Sequence, residues 1–188
     1  MISGNLEYLM TSLPYLKFQN DREEKKRVLN TLSHYSNLNE DELKSVSILE
    51  HMAEPYLSKK DYQIFKAVDL QNIHRSDFRK NRIGVLSEFA SYRLSLKENI
   101  EQLRLSRQEQ TASTVESNTI FEGLIGSPLD NEIYLMKRQW DKLEQLSVEH
   151  YSDFSALLIY KLKLLLLERY WSFNQERGFK IFLDLTTN

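Results

Sequence analysis

Few residues of this 188-residue chain have types and spacings that could perform chemistry. Its four histidines are His34, His51, His74 and His150, and no two of them have the spacing of a helical metal-binding motif. Cysteine is absent, which excludes disulfides, thiolate nucleophiles and cysteine-bound zinc. There is no glycine-rich phosphate loop, and the acidic run at 40–42 suits a helix start. These patterns predict a protein that is not an enzyme and has no cofactor and no metal site.

The stretch HRSDFRKNR, residues 74–82, is the densest basic cluster, and its candidate partner-binding residues are Arg75, Arg79, Lys80 and Arg82. It either contacts an acidic protein or the phosphates of nucleic acid, or is a solvated helix start without a binding role. The 25 basic and 27 acidic residues nearly cancel, to a net charge of −2, so nothing attracts the whole chain to nucleic acid. Protein partners are therefore expected in preference to nucleic acid, with no small-molecule substrate.

The stretch LLIYKLKLLLLERYWSF, residues 157–173, is the most apolar part of the chain and contains the fifth candidate residue, Arg169. A membrane-spanning helix needs about 20 largely apolar residues. The four charged residues here would cost about 10 kcal/mol in a bilayer, against about 4 kcal/mol returned by Leu, Ile and Phe. No membrane insertion is expected. Arg169 either forms an ion pair with a core-facing acid or binds a ligand or partner.

Helices must position these residues, because apolar side chains recur at helical spacing almost throughout, with only five glycines and three prolines. We expect an all-α protein, an elongated multi-helix bundle with a buried C-terminal helix. Residues 1–188 would form a single helical domain, either one body or two lobes joined by a polar linker near 106–119. Helix starts are expected at Asn20 or Asp21, at Asn39, at Ser127 followed by Pro128, and at Ser152 or Asp153.

One helical pattern is unusually long. It begins at Ser76 and, if unbroken to Gln110, would span about 50 Å. The radius of gyration of a compact chain of this length is only about 16 Å. This helix therefore either bends near Gly84 or projects and makes the molecule elongated.

The apolar helix at 157–173 has a narrow polar stripe. Lys161, Glu168 and Ser172 fall within about 40° on its helical wheel, which predicts that these three side chains face solvent. Lys163 lies outside the stripe and would extend its amine to the surface. The helix is expected to lie at the centre of the bundle. Beyond it, Gly178 is expected to separate a last short helix.

Three segments together resemble a known family. They are YLMTSLPYLKF (8–18), SPLDNEIYLMKRQWDKLEQL (127–146) and ALLIYKLKLLLLERYWSFNQERGFKIFLDL (156–185). In this order they are similar to an uncharacterised bacterial family whose genes lie beside those of V/A-type ATPases, most strongly over 127–185. The resemblance implies an all-helical cytoplasmic subunit, comparable to the adaptor that joins the ATPase central stalk to the membrane rotor. It supplies no catalytic residues.

Three functions are therefore considered. The first is a non-catalytic structural or adaptor subunit of a V/A-type ATPase, with apolar contact points around Leu94 and Leu105. The alternative is a helical adaptor that binds nucleic acid or an acidic protein through residues 74–82. An enzyme is disfavoured, because no nucleophile has an accompanying base. The N-terminal MISGNLEYLM is not typical of a signal peptide, so a cytoplasmic location is expected.

Overall fold

All regular structure in the described ranges, residues 6–34, 45–108 and 127–173 of the computed structural model, is helical. The prediction of an all-α fold is confirmed. A short 3₁₀ turn, Glu54–Tyr56, separates the third and fourth helices. The α-helices are α1 (Leu6–Ser12), α2 (Arg22–His34), α3 (Ser45–Ala53), α4 (Lys59–Ala67), α5 (Ser76–Arg79), α6 (Gly84–Gln108), α7 (Pro128–Leu146) and α8 (Phe154–Trp171).

Three of the predicted helix starts are confirmed by their capping bonds. The Asp21 carboxylate accepts a hydrogen bond from the Glu23 amide (3.1 Å), one residue into α2. Ser127 forms a reciprocal capping box with Asp130 at the start of α7, with Pro128 in the first position. Asp153, not Ser152, caps α8 by accepting from the Ala156 amide (2.8 Å). The predicted cap Asn39, most of the linker near 106–119, and the break at Gly178 lie outside the described residues.

Helix α8 lies at the centre of the bundle, as predicted. It packs against α1, α3, α6 and α7. Because neighbours surround it on most sides, most of its leucines are excluded from water: Leu157, Leu158, Leu162, Leu164, Leu166 and Leu167. Leu165 is half-buried.

The polar stripe of α8 does not face solvent, and that prediction is wrong for two of its three residues. Lys161 is only 1% exposed, because α3 and α4 cover it, and its amine donates to Glu50 (2.7 Å) and to the Phe65 carbonyl. Glu168 is half-buried and accepts from the Ser45 hydroxyl (2.6 Å) and the Val46 amide (3.1 Å) at the start of α3. Only Ser172 is exposed. The stripe is a polar contact between helices.

The long pattern from Ser76 is divided before Gly84, so the alternative of an unbroken helix is wrong. Helix α5 ends at Arg79, and α6 begins at Gly84. Between them, the Asn81 side chain accepts a hydrogen bond from the Ile83 amide (3.1 Å), a local turn that competes with helix. The 25 residues of α6 still extend about 37 Å.

The N-terminal segment is fixed against α7 and α8 by aromatic side chains. Phe18 stacks on Tyr170 of α8 (ring centroids 4.8 Å apart) and lies 5.5 Å from the Trp140 ring of α7. The Trp171 indole donates to the Gln19 carbonyl (3.0 Å), and the Tyr160 hydroxyl donates to the Pro14 carbonyl (2.8 Å). Residues 14–19, between α1 and α2, are therefore fixed to the core.

Candidate functional site

The predicted basic cluster forms an exposed corner between α5 and α6. Arg75 precedes α5, Arg79 ends it, and Lys80 and Arg82 lie in the connection to α6. All four side chains are exposed, and within the described residues none forms an ion pair or a side-chain hydrogen bond. The aromatic residue of the cluster, Phe78, packs against the core and anchors the corner. The corner thus presents four cations without ion-pair partners among the described residues, on a backbone that Phe78 anchors to the core.

Arg169 does not belong to this corner. Its guanidinium lies 2.7 Å from the Glu132 carboxylate on α7, with 52% and 33% of the two side chains exposed. Of the two alternatives for Arg169, the ion pair is confirmed, although the acid lies at the edge of the bundle and not in its core. Lys163 extends over the Trp140 ring (5.3 Å) to an ion pair with Glu144 (3.0 Å), and only 13% of its side chain is exposed, so its charge is compensated within the bundle edge and not released into solvent.

Arg169 borders a cleft of about 500 Å³ that the sequence did not indicate. The cleft lies between residues 70–74, α6, α7 and α8. Apolar side chains of α6 and α7 line part of it, including Leu96, Ile100, Leu135 and Met136. Charged side chains line the rest: the cations Arg93, Lys97, Arg104 and Arg169, and the acids Glu101 and Glu132. The cleft is therefore amphipathic with an excess of positive charge.

Arg93 is the most unusual residue of the cleft. Its guanidinium donates to the Gln139 side-chain oxygen (2.6 Å) and the Leu70 carbonyl (3.1 Å), both neutral acceptors. Its Nε is fully buried and has no hydrogen-bond partner among the residues that the structure describes. Burial lowers the pKa of Arg93, Arg169 lowers it further, and Glu132 opposes the effect. Gln139 is itself held by its bond to the Leu135 carbonyl (2.9 Å), which fixes its oxygen toward Arg93.

His74 lies where the cleft meets the basic corner. Its pKa is lowered by burial first, and then by the positive charges of Lys97, Arg93, Arg75 and Arg79. A histidine pKa below the usual range leaves His74 neutral at neutral pH. The shift also indicates that the cations of the corner and of the cleft act on a shared region.

Sequence reasoning missed Arg93, Lys97 and Arg104, although their spacing gave a signal. Arg93, Lys97 and Arg104 are spaced by four and seven residues and so lie on one face of α6, together with Ile100. A helix face with three cations is usually solvated. Here it lies opposite α7 and α8, and a local sequence pattern does not reveal which helices a face packs against.

Other kinds of site receive no support from the part of the chain that the structure describes. It contains no group of three or more His, Asp or Glu side chains that could hold a metal ion. No helix within it combines the length and apolar character needed to cross a bilayer. In comparisons with protein-family models, curated proteins and solved structures, none matches this chain significantly.

Proposed function

We propose that this chain is a non-catalytic adaptor subunit that associates with a V/A-type ATPase in the cytoplasm. It docks on an acidic surface of a neighbouring protein through Arg75, Arg79, Lys80 and Arg82. The observation that carries the docking surface is the exposed corner, where four cations have no partner of their own within the described residues.

The corner is preorganised, which favours binding. The Arg75 carbonyl accepts from the amides of Phe78 and Arg79 (both 3.2 Å), so α5 is a hydrogen-bonded turn. Ile73 and Val85 on either side are buried. The backbone that carries the four cations is therefore held in place, and less backbone entropy is lost when an acidic surface binds them.

The resemblance to the ATPase-associated family supports the identity of the partner. Its first segment is far in sequence from the other two, yet Phe18, Trp140 and Tyr170, one from each segment, pack as one aromatic cluster. The resemblance thus covers a packed unit of the molecule. On α6, Leu105 is 52% exposed and offers an apolar contact near the end of the helix, whereas Leu94 is half-buried.

Nucleic acid is the second candidate for the same four cations. The net charge of −2 argues against it, because affinity for phosphates depends on a sustained positive potential. Binding to nucleic acid would fall steeply with salt, with a log–log slope of about one per phosphate contact. Docking on a protein surface through a few rim charges would depend less on salt.

The proposal is tested by affinity purification of the tagged protein from cells that carry a V/A-type ATPase. Lys80→Glu with Arg82→Glu reverses two charges outside any helix, so folding should be unaffected. The matched control is Lys59→Glu with Lys60→Glu, two exposed cations in the first turn of α4, where acids are favoured.

We expect ATPase subunits to co-purify with the wild type and the control, and at least about tenfold less with the corner variant, since like charges across an interface repel. The circular dichroism spectra of all three proteins should agree. Equal recovery of ATPase subunits with the corner variant and the wild type would show that the basic corner is not the docking surface. Absence of ATPase subunits from every sample would show that the ATPase is not the partner.

A further inference from the structure

We infer that the cleft between α6, α7 and α8 binds a small organic anion, a phosphate or carboxylate joined to an apolar body. The site is separate from the docking corner, and it does not depend on the ATPase proposal. The cleft has three features that suit such a ligand: a cation without a counter-ion, an excess of positive charge, and an apolar wall of suitable size.

The first step is the environment of Arg93. A buried charge is normally compensated by an opposite charge, because removal from water is costly. This chain follows that rule elsewhere: Lys161 has Glu50 at 2.7 Å and Lys163 has Glu144 at 3.0 Å. Among the described residues Arg93 donates only to an amide oxygen and a carbonyl, and its buried Nε–H has no acceptor. An anion in the cleft would supply the missing charge.

The second step is the charge of the cleft. The cations Arg93, Lys97, Arg104 and Arg169 face only two acids, Glu101 and Glu132. Glu132 already pairs with Arg169. Without that pair, the three cations Arg93, Lys97 and Arg104 face the single acid Glu101, so the cleft has a net charge of about +2. The lowered pKa of His74 is consistent with this potential, and the neutral imidazole can both donate and accept a hydrogen bond.

The third step is shape and polarity. A volume of about 500 Å³ lies within the range of small-molecule sites. Leu96, Ile100, Leu135 and Met136 provide a wall for an apolar group, and the arginines provide the planar donors that suit carboxylate and phosphate. The ligand therefore carries up to two negative charges at one end and an apolar body at the other.

The test is a titration followed by nuclear magnetic resonance at physiological salt. The probe is phenyl phosphate, compared with phenol, which lacks the charge, and with inorganic phosphate, which lacks the apolar body. The signals followed are the Arg93 Nε–H, from a cation of the cleft, and the Met136 methyl, from its apolar wall. Phenyl phosphate should shift both in a saturable way, at lower concentration than either comparison compound.

The variant Lys97→Gln with Arg104→Gln removes two exposed cations, so it should fold normally. It should need at least about five times more phenyl phosphate for half-saturation. Lys25→Gln with Lys26→Gln removes the same charge from exposed positions on α2 and should titrate like the wild type.

Several results would overturn the inference: no saturable shift with phenyl phosphate, the same half-saturation in the cleft variant as in the wild type, or equal binding of phenol. Equal binding of inorganic phosphate would remove the apolar body from the ligand. A polyglutamate peptide that shifts these signals when phenyl phosphate does not would assign the cleft to a protein partner.

Discussion

Lys161 shows how a single residue can depart from its sequence pattern. Its position on the wheel beside Glu168 and Ser172 predicted exposure, yet it is among the most buried polar residues of the described chain. The amine lies between the Glu50 carboxylate on α3 and the Phe65 carbonyl on α4. These partners are 111 and 96 residues away in sequence. The helical wheel therefore identified the polar stripe correctly, but it could not show that other helices cover the stripe.

Removal of Glu50 should reveal this buried pair. Glu50→Ala leaves the Lys161 amine buried without a carboxylate and should lower the free energy of unfolding by about 3 kcal/mol, at the low end for a broken buried pair. The low end is expected because water reaches part of Glu50, which is 22% exposed. Urea unfolding measures the change. Glu54→Ala, at an exposed position nearby, should cost less than about 0.5 kcal/mol, and an equal cost for both would contradict the assignment.

The same variant has an expected pH dependence. Burial lowers the pKa of Lys161 below its usual 10.5, and Glu50 partly restores it. Without Glu50 the folded-state pKa falls further, whereas the unfolded-state pKa stays near 10.5. Between these two values the unfolded chain binds more protons than the folded one, so stability rises with pH. The deficit of Glu50→Ala should therefore shrink as the pH rises from neutral toward 10.5, measured by urea unfolding at each pH. A constant or growing deficit would contradict this account.

At the scale of elements, local chemistry predicted most helix starts. Capping depends on side chains within three residues, so Asp21 and Ser127 could be identified from sequence alone. The division between α5 and α6 was harder to place, because Phe78, Val85 and Phe89 continue one apolar period through the turn at residues 80–83.

The start of α8 offers a test of capping in which sequence left two candidates. Asp153→Ala removes the acceptor of the Ala156 amide and should destabilise the protein by about 1 kcal/mol. Ser152→Ala, at the other candidate, should change the stability by less than about 0.5 kcal/mol. Thermal unfolding compares the two. A larger effect at Ser152 would show that the helix starts differently.

The central position of α8 predicts a large packing cost. Leu162 is fully buried, and Leu162→Ala should leave a cavity that lowers the free energy of unfolding by about 2 to 5 kcal/mol. Leu105→Ala, at a position that is 52% exposed on α6, removes the same atoms with little loss of buried area. Chemical denaturation should separate the two variants clearly. Similar denaturation midpoints for Leu162→Ala and Leu105→Ala would show that α8 is not the centre of the core.

For the whole molecule, the fold was more predictable than the candidate site. Helical class, the buried α8 and several caps follow from periodicity and composition. The basic corner was also visible, because its four cations lie within residues 75–82. The cleft was not, because Arg93, Gln139 and Arg169 come from three helices, and what distinguishes Arg93 is a missing carboxylate that only the packed structure reveals.

The two surfaces give the molecule a consistent organisation. The aromatic cluster of Phe18, Trp140 and Tyr170 joins the N-terminal segment to α7 and α8, and the basic corner at the junction of α5 and α6 lies outside that cluster. A rigid helical body with an unpaired cationic corner suits an adaptor that bridges larger subunits. Its contribution would be to assembly and coupling, with no turnover of its own.

The most direct test of the adaptor proposal is ATP-driven ion transport in membranes from cells with and without the gene, together with the amount of assembled ATPase. Loss of the protein should reduce assembly or uncouple ATP hydrolysis from transport, and the wild-type gene should restore both. The Lys80→Glu and Arg82→Glu variant should restore them less well than the control with reversed Lys59 and Lys60. Normal assembly and normal coupling without the protein would contradict the adaptor function.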